Sequence, residues 1–342
     1  MPEPSRSFSP LDDTKRTWKQ AVAAYQNPDL RRSLWQLANS LAPYLALWYL
    51  AYRLLAVSYW LTLATTVLAA GFLVRVFIIF HDCGHGSFFK SKATNDTIGF
   101  ITGILTLTPY FDWRHEHAIH HATAGDLDRR GRGVVWTMTV SEYRAASFWQ
   151  RVGYRLYRNP LVMFGIGPLY VFLIKQRLPR PGSGARERMS VHFTNLALTG
   201  VVATLILTIG LKAVLLVHLP IMAIAGAAGV WLFYVQHQFE GVYWQRGGQR
   251  DYVDVALKGS SLFALPRVLQ WFSGNIGFHH VHHLSPRIPN YRLEKCHREQ
   301  PLFQNVDRIT LLGSLRTLRL RLYDEQAQRL VGFGALRTGL NS

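Results

Sequence analysis

The chain has 342 residues, of which 49% are hydrophobic and only 17% charged, whereas about a quarter of the residues are charged in an average soluble domain. Its net charge of +18 would suit a nucleic acid, an anionic membrane or an acidic protein, but there is no zinc finger, RRM signature or basic region with heptads. The basic residues lie beside long apolar segments instead. This pattern argues against a nucleic-acid partner and indicates a lipid bilayer.

The first apolar region follows a polar segment, residues 1–35, which we interpret as a cytosolic tail that ends in a short helix and has no apolar core of a cleaved signal. Residues 41–80 are almost continuously apolar, and a helix needs about 20 residues to cross a bilayer. We therefore predict two spanning helices, with a turn near residues 57–59. Arg53 and Arg75 interrupt the apolar runs, so each is expected to reach the interface or to face a partner inside the protein.

Residues 81–194 are predicted to form a cytosolic cap with interfacial helices. Two apolar runs in this segment, 97–109 and 160–174, are too short to cross a membrane. Prolines and glycines predict a loop at residues 175–188. This segment also carries many of the arginines of the chain.

A second pair of spanning helices is predicted over residues 195–236, with the turn at Pro220, because proline removes a hydrogen bond from a helix. Residues 237–342 return to the cap, where alternating leucines and arginines at 309–333 predict a basic amphipathic helix. Basic residues are rare in both expected turns and abundant in the cap. The positive-inside rule therefore predicts that both termini and the cap are cytosolic.

The fold class expected from these features is an all-α membrane protein with one domain, residues 1–342. It has four transmembrane helices in two hairpins, joined to a cytosolic helical cap. The chain contains only two cysteines, Cys83 and Cys296, so no disulfide framework is indicated.

Histidines cluster where the apolar segments meet the polar ones. Two segments carry three histidines at i, i+3 and i+4, which share one face if the segment is helical. A pair at i and i+4 ends the first apolar hairpin, and a single histidine ends the second. Converging imidazoles are costly to bury unless they bind something, most often a metal. The candidate ligands are His81, His85, His117, His120, His121, His237, His279, His282 and His283.

Nine imidazoles exceed the four to six ligands of one metal, so two metal ions are expected. The hydrolase motif H-E-x-x-H fails because Ile119 stands where the second histidine is needed. A structural zinc site often uses cysteines, and soluble di-iron bundles use glutamates, neither of which is abundant here. The remaining interpretation is a histidine-rich di-iron site with O₂ as co-substrate and an alkyl chain from the bilayer as substrate.

Three histidine-containing boxes and a single-histidine segment carry a family resemblance. They are His81-Asp82-Cys83-Gly84-His85, Trp113-Arg114-His115-Glu116-His117-Ala118-Ile119-His120-His121, Gln236-His237-Gln238-Phe239-Glu240 and Gly274-Asn275-Ile276-Gly277-Phe278-His279-His280-Val281-His282-His283. With them the chain resembles the membrane fatty acid desaturases of the bacterial acyl-lipid branch. The resemblance implies a multi-pass protein of the bacterial inner membrane with two iron ions at the nine histidines. It also implies O₂-dependent formation of a cis double bond in a lipid-linked acyl chain.

Several polar side chains near the boxes are candidates for orienting the imidazoles, although a plain structural hydrogen bond is an equal reading for each: Asp82, Asp112, Glu116, Glu240 and Asn275. Phe233 stands where animal acyl-CoA relatives carry an asparagine that bonds to a metal-bound water. There is no flavin or dinucleotide glycine fingerprint and no fused haem domain. A separate electron carrier, ferredoxin-like or flavodoxin-like, is therefore expected to be attracted by the basic cytosolic face.

Two rival functions remain open from the sequence. A hydroxylase or ketolase would use the same iron site and differ only in adding oxygen to carbon. A membrane metal transporter or haem electron carrier would need polar ligands at membrane depth, whereas these histidines lie at helix ends and in polar segments. The sequence does not define the double-bond position, the acyl chain length, the carrier of the acyl group or the oligomeric state.

Overall fold

A computed structural model describes residues 18–130, 133–246 and 250–337. Residues 18–23 are helical. The helices that follow are α1 Leu30–Leu54, α2 Tyr59–His85, α3 Lys92–Leu105, α4 Tyr110–Thr123, α5 Val140–Ala145, α6 Phe148–Tyr157, α7 Gly167–Leu173, α8 Ala185–Ile209, α9 Leu211–His237, α10 Tyr252–Lys258, α11 Arg267–Phe272, α12 His279–Leu284, α13 Asn290–Glu299 and α14 Leu311–Thr317. The short strands are β1 Leu262–Ala264, β2 Arg308–Thr310, β3 Leu322–Asp324 and β4 Arg329–Val331. The described part of the chain is therefore mostly helical, as expected.

Within the described ranges, three helices are long and apolar enough to cross a membrane: α2, α8 and α9. A fourth span is possible if α6 and the segment Val162–Arg177, which meet at a 60° bend, act as one unit. Helix α1 has 25 residues but does not reach the same hydropathy. In the most apolar part of α8 only 6% of the residues are buried in the protein, against 61% in α2. Such an exposed apolar helix is typical of a surface that faces lipid.

The first helix pair agrees with the expected turn, because α1 ends at Leu54 and α2 begins at Tyr59. Helix α1 begins at Leu30, inside the segment expected to be a tail, because the Asp29 side chain accepts a hydrogen bond from the backbone N–H of Arg32. Arg75 is buried and its guanidinium lies 3.9 Å from the ring centroid of Trp271 in α11. It therefore faces a partner in the protein, one of the two arrangements expected for it.

The turn expected at Pro220 is wrong. Helix α8 ends at Ile209 and α9 begins at Leu211, so the chain reverses at Gly210, which has a φ of 85° that favours glycine. Pro220 lies inside α9. A proline costs one backbone hydrogen bond, and apolar membrane helices tolerate this cost when their neighbours pack closely.

Helix α2 is the centre of the molecule, because it packs against α1, α3, α4, α9 and α11. An apolar cluster between α1, α2 and α9 contains Ala69, Leu73, Ile221 and Met222, all buried. A second cluster, in the cap, joins the 18–23 helix, α12 and α13 through Val22, Val281 and Leu293 among others. The packing of the cap on the ends of α2 and α9 determines where the histidines meet.

The basic amphipathic helix expected at residues 309–333 is also wrong. Helix α14 has only seven residues, and β3 and β4 follow as an antiparallel pair. The Asp324 side chain accepts hydrogen bonds from the backbone N–H groups of Gln326 and Ala327, which forms a turn and stops a helix. Leu322 and Leu330 are buried across this hairpin. The second sheet is a parallel pair of β1 and β2.

The short apolar runs of the cap are largely helical, and neither is long enough to cross a membrane by itself. Residues 97–109 lie mostly in α3, and residues 160–174 form a π turn at Val162–Ile166 followed by α7. The expected loop at 175–188 is shorter than predicted, because a 3₁₀ turn covers Lys175–Arg177 and α8 begins at Ala185. These segments border the site described next.

Candidate metal centre

Four helix segments bring the histidines together at the cap ends of α2 and α9. Helix α2 carries its histidines in the last turn and ends at Gly86, whose φ of 67° is left-handed. Helix α4 lies against it, and a Cβ on Gly84 would be only 2.9 Å from the Trp113 ring. Glycine at this position therefore permits the close approach of the two helices. The short helix α12 is completely buried and presents its histidines to both.

The first histidine cluster consists of His81, His85, His117 and His282, whose ligand nitrogens all lie within 4.8 Å of one another. The Nε2 atoms of His81 and His117 are 3.1 Å apart. His121 adjoins this cluster, because its Nε2 lies 3.2 Å from that of His117 and 3.0 Å from that of His282. Five imidazoles from three segments thus converge on one point.

The second histidine cluster consists of His120, His237, His279 and His283, and all four are buried. The Nε2 atoms of His279 and His237 are 2.9 Å apart, and those of His279 and His283 are 3.1 Å apart. The His120 Nε2 lies 3.3 Å from that of His283. The structure therefore brings together all nine histidines identified in the sequence, divided between two centres.

The spacing of these nitrogens fits metal ions. Ligand nitrogens about 2.1 Å from a metal and at right angles to each other are about 3 Å apart, which is the separation seen within both clusters. The His85 Nε2 is buried and has no hydrogen-bond partner among the described residues, so it is free to bind an ion. An imidazole-only set suits iron, zinc, copper or nickel.

The electrostatics of the clusters favour neutral imidazoles. Burial, reinforced by neighbouring histidines, lowers the pKa of His117, His121, His282 and His283 well below the ordinary value. A neutral ring keeps a lone pair for a metal, whereas a protonated ring does not. The apo clusters are thus prepared to bind a cation with little competition from protons near neutral pH.

Asp82 contacts a ring of the first histidine cluster. The His81 Nδ1 lies 3.1 Å from Asp82 Oδ1, so the ring can donate there and keep its Nε2 lone pair for the cluster. The other carboxylate oxygen accepts hydrogen bonds from the backbone N–H and the side-chain amide of Asn290, at 2.7 and 2.8 Å. Asp82 thereby connects the end of α2 to the start of α13, a contact that was not predicted from the sequence.

The other four polar candidates differ in position. Asp112 and Glu116 are both bound by Arg180, with the Arg180 Nη2 2.9 Å from Asp112 Oδ1. Asn275 has a φ of 58° and joins Gln270 to Asn290, so it acts on the site only through Asn290 and Asp82. Glu240 is exposed and pairs with Arg329 at 2.9 Å. That contact is a surface ion pair, so the structure gives no support for Glu240 as an orienting residue.

A cavity of about 410 Å³ adjoins both clusters. Its lining includes His81 and His117 from the first cluster and His120 and His279 from the second. Away from the histidines its walls are apolar side chains of α2, α7 and α9. Another part is polar and contains Lys175, Gln176, Arg180, Asp112 and Glu116. The cavity therefore has a polar part, a part lined by histidines, which we call its reactive part, and an apolar part.

Several contacts of neighbouring side chains with the histidine clusters were not predicted from the sequence. Trp113 stacks on the His117 ring, with centroids 4.4 Å apart and planes at 17°. Phe233 contacts the rings of His120 and His237, each at 5.1 Å. Arg158 is completely buried and binds Gln238 Oε1, beside His237, at 2.9 Å. The spacing of the tryptophan, four residues before His117, was a signal that could have been used.

His280 lies between candidate ligands on α12 and is fully buried. Its Nε2 lies 3.0 Å from the Nδ1 of His297, a residue that the sequence gave no reason to pair with it. This pair packs on the opposite side of α12 from the clusters, against Phe303 and Phe278. It thus supports the helix that carries three of the candidate ligands.

Known proteins with similar sequences identify the family of this chain. A family model described as fatty acid desaturase matches residues 58–308. A Bacillus subtilis protein named fatty acid desaturase is 52% identical over 94% of this chain and 92% of its own length. A Synechocystis protein named sn-1 acyl-lipid omega-3 desaturase (ferredoxin) is 28% identical over 65% of this chain and 62% of its own length. A Vigna radiata protein named omega-3 fatty acid desaturase, endoplasmic reticulum, is 30% identical over 64% of this chain and 59% of its own length.

The family match covers the first two histidine boxes, the single histidine and the last box. The apolar helices agree with a membrane protein of this kind, and the buried histidine clusters agree with metal binding. This chain belongs to the fatty acid desaturase family.

Proposed function

We propose that the protein is an O₂-dependent desaturase that introduces a cis double bond into an acyl chain attached to a membrane lipid, using two iron ions. The observation that carries this proposal is the cavity, because one apolar space borders histidines of both clusters. A long hydrocarbon in that space would pass beside two adjacent metal sites. Such an arrangement suits removal of one hydrogen from each of two neighbouring carbons.

The metal roles follow from the two clusters. His81, His85, His117, His121 and His282 would hold one ion, and the second histidine cluster would hold the other. Bound iron would couple the reduction of O₂ to two waters with the loss of two hydrogens from the acyl chain and the uptake of two electrons and two protons. Iron rather than zinc is proposed because this family performs redox chemistry, which zinc cannot support.

Side chains around the clusters would hold the histidine rings in place and keep water away from the substrate. Trp113 holds the His117 ring by stacking, and Asp82 fixes the orientation of His81. Phe233 covers the rings of His120 and His237 on the cavity side with an apolar surface. These contacts would exclude water from the reacting carbons and keep them at a defined distance from the clusters.

The polar part of the cavity would hold the ester end of the substrate. Arg180 is bound to Asp112 and Glu116, which partly neutralise it, while Lys175 is exposed. Two Synechocystis relatives are named as acyl-lipid and oleoyl-lipid desaturases, which supports a lipid-linked substrate. Phe233 in place of a polar residue is consistent with a substrate other than acyl-CoA.

The electrons are proposed to come from a separate ferredoxin-like carrier, with a flavodoxin-like protein as the alternative. One Synechocystis relative is named as using ferredoxin. The net charge of this chain is +18, and exposed arginines of the cap include Arg144, Arg151, Arg316 and Arg319. Reversing the charges of Arg316 and Arg319 to Glu should slow electron transfer at low salt, whereas Lys212→Glu near Gly210 should not. Equal rates in both variants would contradict steering by the cap.

We propose four membrane crossings in two hairpins, α1 with α2 and α8 with α9, with the cap and both termini in the cytosol of a bacterium and the protein in its inner membrane. Helix α1 would supply the crossing that hydropathy alone does not identify. Single cysteines at Ser58 and Ala327 test this topology with a membrane-impermeant thiol reagent on intact spheroplasts. Ser58→Cys should react and Ala327→Cys should react only after lysis; both native cysteines are buried and serve as a low background.

The activity is tested by expressing the protein in a host that makes no unsaturated fatty acids and profiling its lipids. Wild type should yield acyl chains two mass units lighter than their saturated parents, and His120→Ala should yield none. A gain of one oxygen instead would establish a hydroxylase or ketolase. Elemental analysis of purified active protein should find iron, and a visible haem spectrum or an absence of iron would contradict the proposal.

A further inference from the structure

Two glycines of α9 line the cavity, and they differ in what surrounds them. A Cβ on Gly226 would lie 2.9 Å from the Cβ of Pro168 and 3.4 Å from the Phe172 ring, so close packing against α7 explains that glycine. A Cβ on Gly229, one turn nearer to the histidines, would meet no heavy atom within 4 Å. Glycine lowers helix stability relative to alanine. Packing therefore gives no reason for glycine at 229, and its missing side chain leaves this part of the cavity wall open.

The position of Gly229 along the cavity is defined by its neighbours on α9. Phe233, which contacts the His120 and His237 rings, is four residues away, about 6 Å along the helix. Met222, which also lines the cavity, lies seven residues in the other direction, about 10 Å away. Gly229 thus lies between the reactive part of the cavity and its far end.

Buried apolar side chains line the far end of the cavity. Leu73 and Met222 are only 2% and 3% exposed and belong to the packed cluster between α1, α2 and α9. Leu73 is eight residues from His81, so this end extends about 12 Å from the histidines along α2. An ester and headgroup cannot be buried there without losing their hydrogen bonds. The methyl end of an acyl chain is the part that fits.

We propose that Gly229 determines the longest acyl chain that the protein accepts, because its missing side chain gives the methyl end access to the space closed by Leu73 and Met222. This inference rests on the proposed function, and it adds a residue that sets specificity at that site. A larger side chain at 229 would project into the cavity and shorten it from the membrane side. The histidine clusters would be left intact.

The main test replaces Gly229 with Leu and measures desaturation of a host lipid pool that contains acyl chains differing by two carbons. We expect conversion of the longest chains to fall about tenfold relative to the shortest, because one or two methylenes that a pocket cannot hold change selectivity by this order. Gly229→Ala should give a smaller shift in the same direction. Gly200→Leu is the matched control, because Gly200 is exposed on α8 with open space around its Cβ and lies outside the cavity lining.

A second variant enlarges the cavity at its far end instead of shortening it. Met222→Ala should deepen the closed end and raise conversion of longer chains relative to wild type. It also keeps the inference testable if Gly229→Leu does not accumulate. An unchanged chain-length profile in folded Gly229→Leu, or an equal loss at every chain length, would overturn the proposal.

A binding measurement separates this inference from the proposed activity. Saturated phospholipids of graded chain length should raise the unfolding temperature of purified, metal-free wild type, and Gly229→Leu should lose the response to the longer members alone. If wild type forms no double bond in the host but shows this length-dependent binding, the proposed function fails and the role of Gly229 stands. If wild type is active and both proteins bind all lengths equally, the role of Gly229 fails instead.

Discussion

Asp82 is the residue for which the structure allows the sharpest mutational prediction. Its carboxylate accepts from the His81 Nδ1–H at 3.1 Å and from two donors of Asn290 at 2.7 and 2.8 Å. It is 1% exposed, so water cannot replace these contacts. Asp82→Asn keeps the size of the side chain and replaces one acceptor by a donor.

Either orientation of the new amide creates a conflict. If the amide oxygen faces Asn290, the NH₂ group faces the His81 Nδ1–H, and relief requires the ring proton to move to Nε2, where it occupies the lone pair needed by the cluster. If the amide is reversed, its NH₂ group faces both donors of Asn290. One hydrogen bond to a charged group is worth about 1.5–3 kcal/mol, so the free energy of unfolding should fall by about that amount.

The metal affinity of the first cluster should fall as well. Loss of a group that orients a metal-binding histidine typically reduces affinity 10- to 100-fold, or about 1.4–2.8 kcal/mol. The assay titrates purified, iron-loaded protein with a competing chelator and measures the iron retained. The unfolding temperature of the same samples in detergent gives the stability change.

The control is Asp254→Asn, which removes a carboxylate from an exposed ion pair with Lys258 at 2.8 Å. Such pairs contribute about 0–1 kcal/mol, so stability and chelator resistance should stay near those of wild type. If Asp82→Asn retained iron as firmly as this control, the view that Asp82 orients His81 would be refuted.

Four further predictions follow from the site. His120→Ala removes one nitrogen of the second histidine cluster, and purified protein should hold about one iron less by elemental analysis and form no double bond. Arg158→Met leaves three acceptors without their guanidinium donor, and each buried acceptor left unpaired costs about 1–3 kcal/mol. The free energy of unfolding, measured by thermal unfolding, should therefore fall by about 3 kcal/mol or more. Burial lowers the pKa of His280 from 6.5 to about 3, so the unfolded chain binds more protons at this residue below pH 6.5. His280 alone should therefore remove up to about 1.4 kcal/mol of unfolding free energy per pH unit as pH falls, and thermal unfolding of metal-free His280→Gln should depend less steeply on pH than that of wild type. Arg180→Gln removes the guanidinium that binds Asp112 in the part of the cavity proposed to hold the ester end of the substrate. Because substrate binding should weaken, the substrate concentration for half-maximal rate should rise about tenfold in a detergent assay, with little change in iron content.

The turn between α8 and α9 shows where prediction from local sequence patterns fails. A proline in an apolar run was interpreted as the turn, yet the chain turns at a glycine whose positive φ the sequence does not display. Helix breaking by proline is a local preference of a few kcal/mol, and packing of α9 against α2 and α7 outweighs it. The expected C-terminal helix failed for a similar reason, because long-range packing buries Leu322 and Leu330 in paired strands.

The nine histidines could be found from sequence because their spacing is itself the local geometry. Residues at i, i+3 and i+4 share a helix face whatever the tertiary structure, so the sequence alone identified the candidate ligands and, through them, the family. Which histidines share a centre was decided only by the crossing of α2, α4, α9 and α12, which divides the adjacent pair His120 and His121 between two clusters. Adjacent side chains on a helix point about 100° apart, and only neighbouring helices determine what each one meets.

The cavity likewise belongs to the tertiary structure. Its walls come from segments more than 150 residues apart, such as Leu73 and Gly229, and no periodicity connects them. The sequence by itself determined that this is a helical membrane protein with a histidine-rich site, because apolar run length and histidine spacing are local properties. The depth of the cavity, the contact of Asp82 with Asn290 and the burial of Arg158 depend on long-range packing, so only the folded chain decided them.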